Sequence, residues 1–279
     1  KVTIATNATS AVVPYYATPR SLARTPKSGT SGVLALVRQG SSLFVGGDFS
    51  DYGTVARSGL AAYDLATGAL RSDFDPAPDG QVNTVKSSAN GQAVFVGGEF
   101  NNIGGESHKA IAKIDMSAGL NVPGFSASAS SFVKDMAVRT DGTTVYVGGN
   151  FDQFNGVPTS RLLAMDATTG AILPSFSLPL TEPTNDYSEG GLRAMALSPD
   201  ETRLMVIGNF RKIGGVERPL IAQIDVSGPA ATVTDWHTDL YDQPCARSGK
   251  IGFMRDVDIS PDGQRLYSVS AGHFYYPAC

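Results

Sequence analysis

The chain is poor in the residues that usually announce chemistry. Only three of its 279 residues are histidine and two are cysteine. His108, His237 and His273 stand far apart with no His-x-x-x-His spacing, so no metal site is expected. No Gly-x-Ser-x-Gly nucleophile elbow occurs. The paired glycines at 46–47, 97–98 and 148–149 lack the following lysine and the strand-to-helix setting of a phosphate loop, and no cofactor is expected. Charge is sparse as well. Charged residues make up 17% of the chain, and 22 basic against 26 acidic residues give a formal net charge of −4, without the basic stripe of a nucleic-acid binder. No apolar run approaches the roughly eighteen residues of a membrane-spanning helix, so no membrane span is expected.

What is present is repetition. Leu43–Phe49 reads Leu-Phe-Val-Gly-Gly-Asp-Phe, Ala93–Phe100 reads Ala-Val-Phe-Val-Gly-Gly-Glu-Phe, and Thr144–Phe151 reads Thr-Val-Tyr-Val-Gly-Gly-Asn-Phe. Leu204–Phe210 is a fourth copy, and Leu266–Phe274 a weaker fifth. The closing phenylalanines step by 51 (49 to 100, 100 to 151) and then 59 (151 to 210). A period near fifty residues built on short β-rich runs is the signature of a propeller blade. The 31 glycines and 16 prolines are spread along the chain, as many short strands and turns require.

The third copy shows the blade most fully. Val133–Arg139 alternates apolar and polar residues as a half-buried strand does, and Asp141-Gly142 supplies the positive-φ pair of a tight turn. Thr144–Gly148, Leu162–Asp166 and Ile172–Phe176 then supply strands two to four. The expected fold is all-β, a propeller of four-stranded antiparallel blades, four complete and a fifth partial. Blades fall near 33–80, 82–131, 133–191 and 192–252, with the partial one at 254–279; residues 1–32 form a lead-in, and either Lys1–Tyr16 supplies the outer strands of the last blade and closes a five-bladed ring, or the chain is cut from a longer one. Each third-strand aspartate (Asp64, Asp115, Asp166, Asp225) follows its phenylalanine by 15 residues, so all length variation lies after the third strand, at Leu178–Gly191 and Thr238–Gly252.

Val-Gly-Gly-Asp/Glu/Asn-Phe, followed by Gly-Gly-Val or Asn-Gly-Val, Leu-Ala-x-x-Asp and Thr-Gly, resembles the delta-60 repeat β-propellers of secreted actinobacterial proteins. A more distant similarity is to fungal cell-surface bud-site landmark propellers. The resemblance covers roughly Gly32–Cys279 and is sharpest at Met254–Gly263, Met-Arg-Asp-Val-Asp-Ile-Ser-Pro-Asp-Gly, with Cys245 before it and Cys279 after. It implies an extracellular or wall-associated propeller and carries no catalytic residue with it. Low charge and Lys1 in first place, left by signal-peptide removal or by truncation, agree with export. In that setting Cys245 and Cys279 are expected to form a disulfide.

The repeated Asp48, Glu99, Asn150 and Asn209 are read as side chains satisfying loop backbone rather than as metal ligands, since amide replaces carboxylate freely. The third-strand aspartates are read as turn formers and the glycine pairs as sites of close backbone approach. Function is expected on the face where second-to-third-strand loops and blade-to-blade connections emerge, because the connections alone grow. That places Asp186, Tyr187, Tyr241 and Arg247 as candidate partner-binding residues, for a protein or glycan held without catalysis. The alternative is an extracellular carbohydrate-active hydrolase or lyase using Asp186, Glu189 and Asp239 at the mouth.

Overall fold

The computed structural model describes residues 32–52, 55–181, 191–239 and 253–271. Every long element among them is a β-strand in an antiparallel sheet, and no helix there is long and apolar enough to cross a membrane. Five sheets follow one another along the chain. Their inner strands are Gly32–Gln39, Gln81–Ser87, Val133–Val138, Gly191–Leu197 and Phe253–Ile259. Each pairs with the strand that carries the glycine-rich repeat, Ser42–Asp48, Ala93–Glu99, Thr144–Gly149, Arg203–Asn209 and Leu266–Ala271. In the first four sheets a third strand follows: Leu60–Asp64, Ile111–Asp115, Leu162–Asp166 and Ile221–Asp225.

The fourth strand is smaller than the sequence suggests. Among the described residues only the fourth sheet has one, Thr232–Val233, while the first three keep single bridges at Leu70, Asn121 and Ile172. In the second and third sheets a proline, Pro123 or Pro174, stands two residues past the bridge and withdraws the donor that a longer strand would need. The tight turn also differs. Arg139 N–H donates to Thr144 O at 3.0 Å, and of the pair Asp141-Gly142 only Gly142 has positive φ, at 74°. Asp141 instead accepts from Thr143 N–H at 2.9 Å, so a longer loop replaces the two-residue hairpin.

Cores form between sheets, not within them. Phe44, Leu60 and Phe74 of the first interleave with Val82, Val85 and Val96 of the second. The same face-to-face packing joins second to third, third to fourth and fourth to fifth. A bulge near the start of each inner strand makes this possible, because it turns residues three apart onto one face. Val82 and Val85, Val133 and Met136, Leu192 and Met195, and Met254 and Val257 are all buried against the preceding sheet. Their counterparts in the first sheet, Val33 and Leu36, are 44% and 48% exposed. On the other outer face, Tyr267 and Val269 of the fifth sheet are also exposed.

The closing phenylalanines, Phe49, Phe100, Phe151 and Phe210, are buried where the second strand ends. The second glycine of each pair, and the single Gly208 of the fourth copy, lies against the inner strand's backbone, as the repetition suggested. A Cβ at Gly47, Gly98, Gly149 or Gly208 would stand 2.2, 2.1, 2.0 or 2.2 Å from a carbonyl oxygen across the pair.

Candidate functional site

Two sets of connections emerge on one face, called here the mouth. The second-to-third-strand loops are not plain loops but two-residue ribbons: Asp51–Tyr52 with Val55–Ala56, Asn102–Ile103 with Glu106–Ser107, Gln153–Phe154 with Val157–Pro158, and Lys212–Ile213 with Val216–Glu217. Each of the last three takes hold of the connection arriving from the previous sheet. Asp79 accepts from the backbone N–H of Asn101 and Asn102 at 2.7 and 3.0 Å, Ala129 bridges Phe154, and Leu180–Thr181 pairs with Lys212–Ile213. The constant loops are therefore clamps. The connection after Thr181 leaves from such a clamp and returns at Gly191, the first residue of the fourth inner strand, so both its ends are fixed on the mouth.

Asp186, Tyr187, Glu189, Tyr241, Cys245, Arg247 and Cys279 all lie outside the described residues, and so does the proposed contribution of residues 1–16 to the last blade. Asp239 is described, and its exposed carboxylate lies 3.7 Å from His237 Nε2. Among the described residues no group of three potential metal ligands converges.

The third-strand aspartates form turns. Asp166 Oδ1 accepts from Thr168 N–H, Thr169 N–H and the Thr169 hydroxyl at 3.0, 2.7 and 2.9 Å. Asp64 accepts likewise from the Thr67 hydroxyl three residues on, and Asp115 and Asp225 from Ser117 and Ser227 two residues on. These bonds favour the charged form and hold all four carboxyls below the usual aspartate range. Glu99 departs from the reading given to its repeat position. It reaches across to the next sheet and pairs with Lys134 Nζ at 2.7 Å rather than bonding loop backbone.

Two charged groupings were not visible in the sequence. One surrounds the axis. Asp135 accepts from Thr84 Oγ1 (3.0 Å) and pairs with Lys86 Nζ (3.0 Å) on the second sheet, and accepts from Met195 N–H (2.9 Å) on the fourth. Asp256, on the fifth sheet, is raised above the usual aspartate range, first by desolvation and then by the charge of Asp135, with Lys86 opposing. Charged residues of the second, third and fifth sheets thus bear on one another along the inner strands.

The other grouping rings the mouth. The extra residue of each inner-strand bulge is, in order, Leu34, Asn83, Lys134, Arg193 and Arg255. Lys134 is neutralised by Glu99 of the previous sheet and lies 4.9 Å from the Phe132 ring centroid. At Arg193 the previous sheet offers Asn150 instead of a carboxylate, in the same register as Glu99. Among the described residues no carboxylate pairs with Arg193 or Arg255. Burial first, and the like charge of Arg255 second, hold Arg193 below the ordinary arginine range. A sequence signal existed: buried apolar residues three apart, such as Val133 and Met136, contradict strict alternation and mark the bulge.

On the opposite face a cleft of about 360 Å³ opens between the fourth and fifth sheets, beside Trp236, Gln223 and Leu266. Three of its charged groups are already engaged. Asp200 accepts from Ser198 Oγ, Asp262 from Gln264 N–H, and Arg203 pairs with Asp225 at 2.8 Å.

No family model matches the chain, and no curated protein matches it. Among solved structures it is similar to Kuenenia stuttgartiensis hydrazine synthase, with TM-score 0.54 at 16% identity over 88% of this chain and 58% of that one. It is also similar to a chain of a mitotic checkpoint complex, with TM-score 0.51 at 14% identity over 88% of this chain and 65% of that one. Both neighbours are propeller-like, and so is this all-β fold. At such identities the likeness concerns the fold alone. The chain spans less than two thirds of the length of either neighbour.

Proposed function

We propose that the chain is a secreted or cell-surface β-propeller of the delta-60 repeat kind, with four complete blades and a fifth begun, that binds a glycan or protein partner without catalysis. The observation that carries this reading is the clamped mouth. Uniform ribbons fix the ends of the incoming connections, while chain length grows only between those fixed ends and around residues 240–252. A rigid frame carrying lengthened connections is how binding surfaces are built on repeat scaffolds. The mitotic checkpoint complex, whose title is that of an assembly, supports a protein partner as one form of this reading. Asp186, Tyr187, Tyr241 and Arg247 are the side chains assigned to contact, and a Cys245–Cys279 disulfide tethers the second lengthened connection.

The experiment compares the full chain with a variant in which both long connections are cut to the length of Asp75–Gly80. Retention on immobilised polysaccharides and secreted proteins is measured, together with release of new reducing ends. Retention without release, lost in the shortened but still β-folded variant, is the expected result. Release of reducing ends would establish the hydrolase or lyase instead, and retention unaffected by shortening would move the site elsewhere.

A further inference from the structure

The mouth carries two positive charges, Arg193 and Arg255, that no carboxylate among the described residues pairs with. In the second-to-third-sheet interface the bulge cation Lys134 meets Glu99 at 2.7 Å. The same register one sheet later puts Asn150, not a carboxylate, opposite the Arg193 bulge; a Cβ added at Gly191, two residues before Arg193, would stand 2.9 Å from Asn150 Oδ1. One sheet further, Arg255 takes the same bulge position. The fourth and fifth inner strands pack side by side, so the two bulge positions are neighbours on the mouth, and the charge of Arg255 adds to burial in holding Arg193 below the ordinary arginine range. Neighbouring like charges cost stability, and a bound oxyanion lowers that cost while matching the planar fork of each guanidinium. These two strands are the ones fed by the lengthened connections, so the charges sit where the partner is expected.

Charge alone would accept any anion. The mouth also offers an aromatic ring: Phe132, one position before the third inner strand, is 40% exposed beside Lys134. An exposed ring on the same mouth as the two arginines suits a sugar that carries a carboxylate, since a pyranose packs on an aromatic surface while a guanidinium takes the acid. We propose that Arg193 and Arg255 together hold the carboxylate of an acid sugar, so that the mouth binds a uronic-acid-containing glycan. This rests on the binding reading above and names its ligand class.

The test uses the full chain and isothermal titration with tetragalacturonate, with maltotetraose as the neutral counterpart and tetraglutamate as the acidic peptide. Tetragalacturonate is expected to bind, and to bind at least tenfold more weakly in 0.5 M salt. The Arg193→Gln/Arg255→Gln double variant should lose at least tenfold in affinity with no fall in its thermal transition, because the substitutions remove like charges and not a paired contact. Asn150→Asp, which installs the acid that the second sheet already has, should weaken binding several-fold. Absence of tetragalacturonate binding, or equal binding by the double variant, overturns the assignment. Equal binding of maltotetraose leaves the glycan-binding reading standing and removes the acid-sugar inference. Equal binding of tetraglutamate shows a general anion site for a protein partner and overturns the choice of a sugar.

Discussion

Gly149→Ala probes the closest backbone contact in the fold. The added Cβ would stand 2.0 Å from Phe132 O and 3.0 Å from both Phe132 C and Val133 Cα, all backbone atoms without rotamer freedom. Restoring ordinary contact needs a strand displacement of roughly 1 Å. Two bonds lie in its path: Asn150 N–H to Phe132 O at 2.9 Å, and Gly149 N–H to Arg161 O at 3.0 Å. Losing both costs about 2 kcal/mol, and overpacking adds about 1–3 kcal/mol, for a total of about 3–5 kcal/mol. That is a large share of a stability on the order of 5–15 kcal/mol. Its neighbour is the control. A Cβ at Gly148 would meet only side-chain atoms of Leu192, at 2.7–2.9 Å, which can turn aside, so Gly148→Ala should cost about 1–2 kcal/mol. Gly156→Ala meets nothing within 4 Å and pays only for its φ of 76°, about 1–2 kcal/mol. Urea unfolding followed by far-ultraviolet circular dichroism ranks the three. Gly149→Ala within 1 kcal/mol of wild type, or no worse than Gly148→Ala, would refute the argument.

Asp135→Ala should cost about 3–5 kcal/mol in the same assay, because it removes the acceptor that ties the second and fourth sheets to the third and leaves Lys86 unpaired. Asp135→Asn, which keeps one acceptor oxygen, should cost less. Asp256→Asn should stabilise the chain at neutral pH and lose that advantage near pH 3. The carboxyl's folded pKa is raised, so its charge costs stability in full above that pKa and nothing below the unfolded value near 4; equal stabilities at pH 7 would contradict the crowding. Trp236, the only tryptophan in the chain, packs with Ile259 and Leu266 between the last two sheets. Leu266→Ala should shift its emission to the red and expose it to iodide; an unmoved spectrum would mean that the fifth sheet does not rest there.

The strands that could be read from sequence are those whose pattern is local. The third strand at Leu162–Asp166 matches residue for residue, and the glycine pairs announced a close approach because nothing else explains two unsubstituted positions in a strand otherwise full of valine and phenylalanine. The aspartate turns were legible for the same reason: Asp166 and its Thr169 lie three residues apart and need no distant partner. The fourth strand was overread at Ile172–Phe176, where apolar character is real but serves the interface with the next sheet. Phe176 and Leu178 are buried with Leu192 and Phe210 rather than paired in a ladder.

The mouth was hidden for a more particular reason. Reading Val133–Arg139 as strict alternation sends Lys134 to one face and Asp135 to the other along a regular strand, where each becomes an ordinary solvent charge. The bulge undoes that. It places Val133 and Met136 on one face and sets Lys134 against Glu99 at 2.7 Å, while Asp135 turns to the axis. Once the bulge is recognised, the column Leu34, Asn83, Lys134, Arg193, Arg255 acquires meaning, and so does the change from Asp48 and Glu99 to Asn150 and Asn209 opposite it. The amide positions had argued against a metal ring because the repeat tolerates them. Opposite an arginine, the same substitution removes a counter-charge at the Asn150 position, and it does so beside the strand that the first lengthened connection enters.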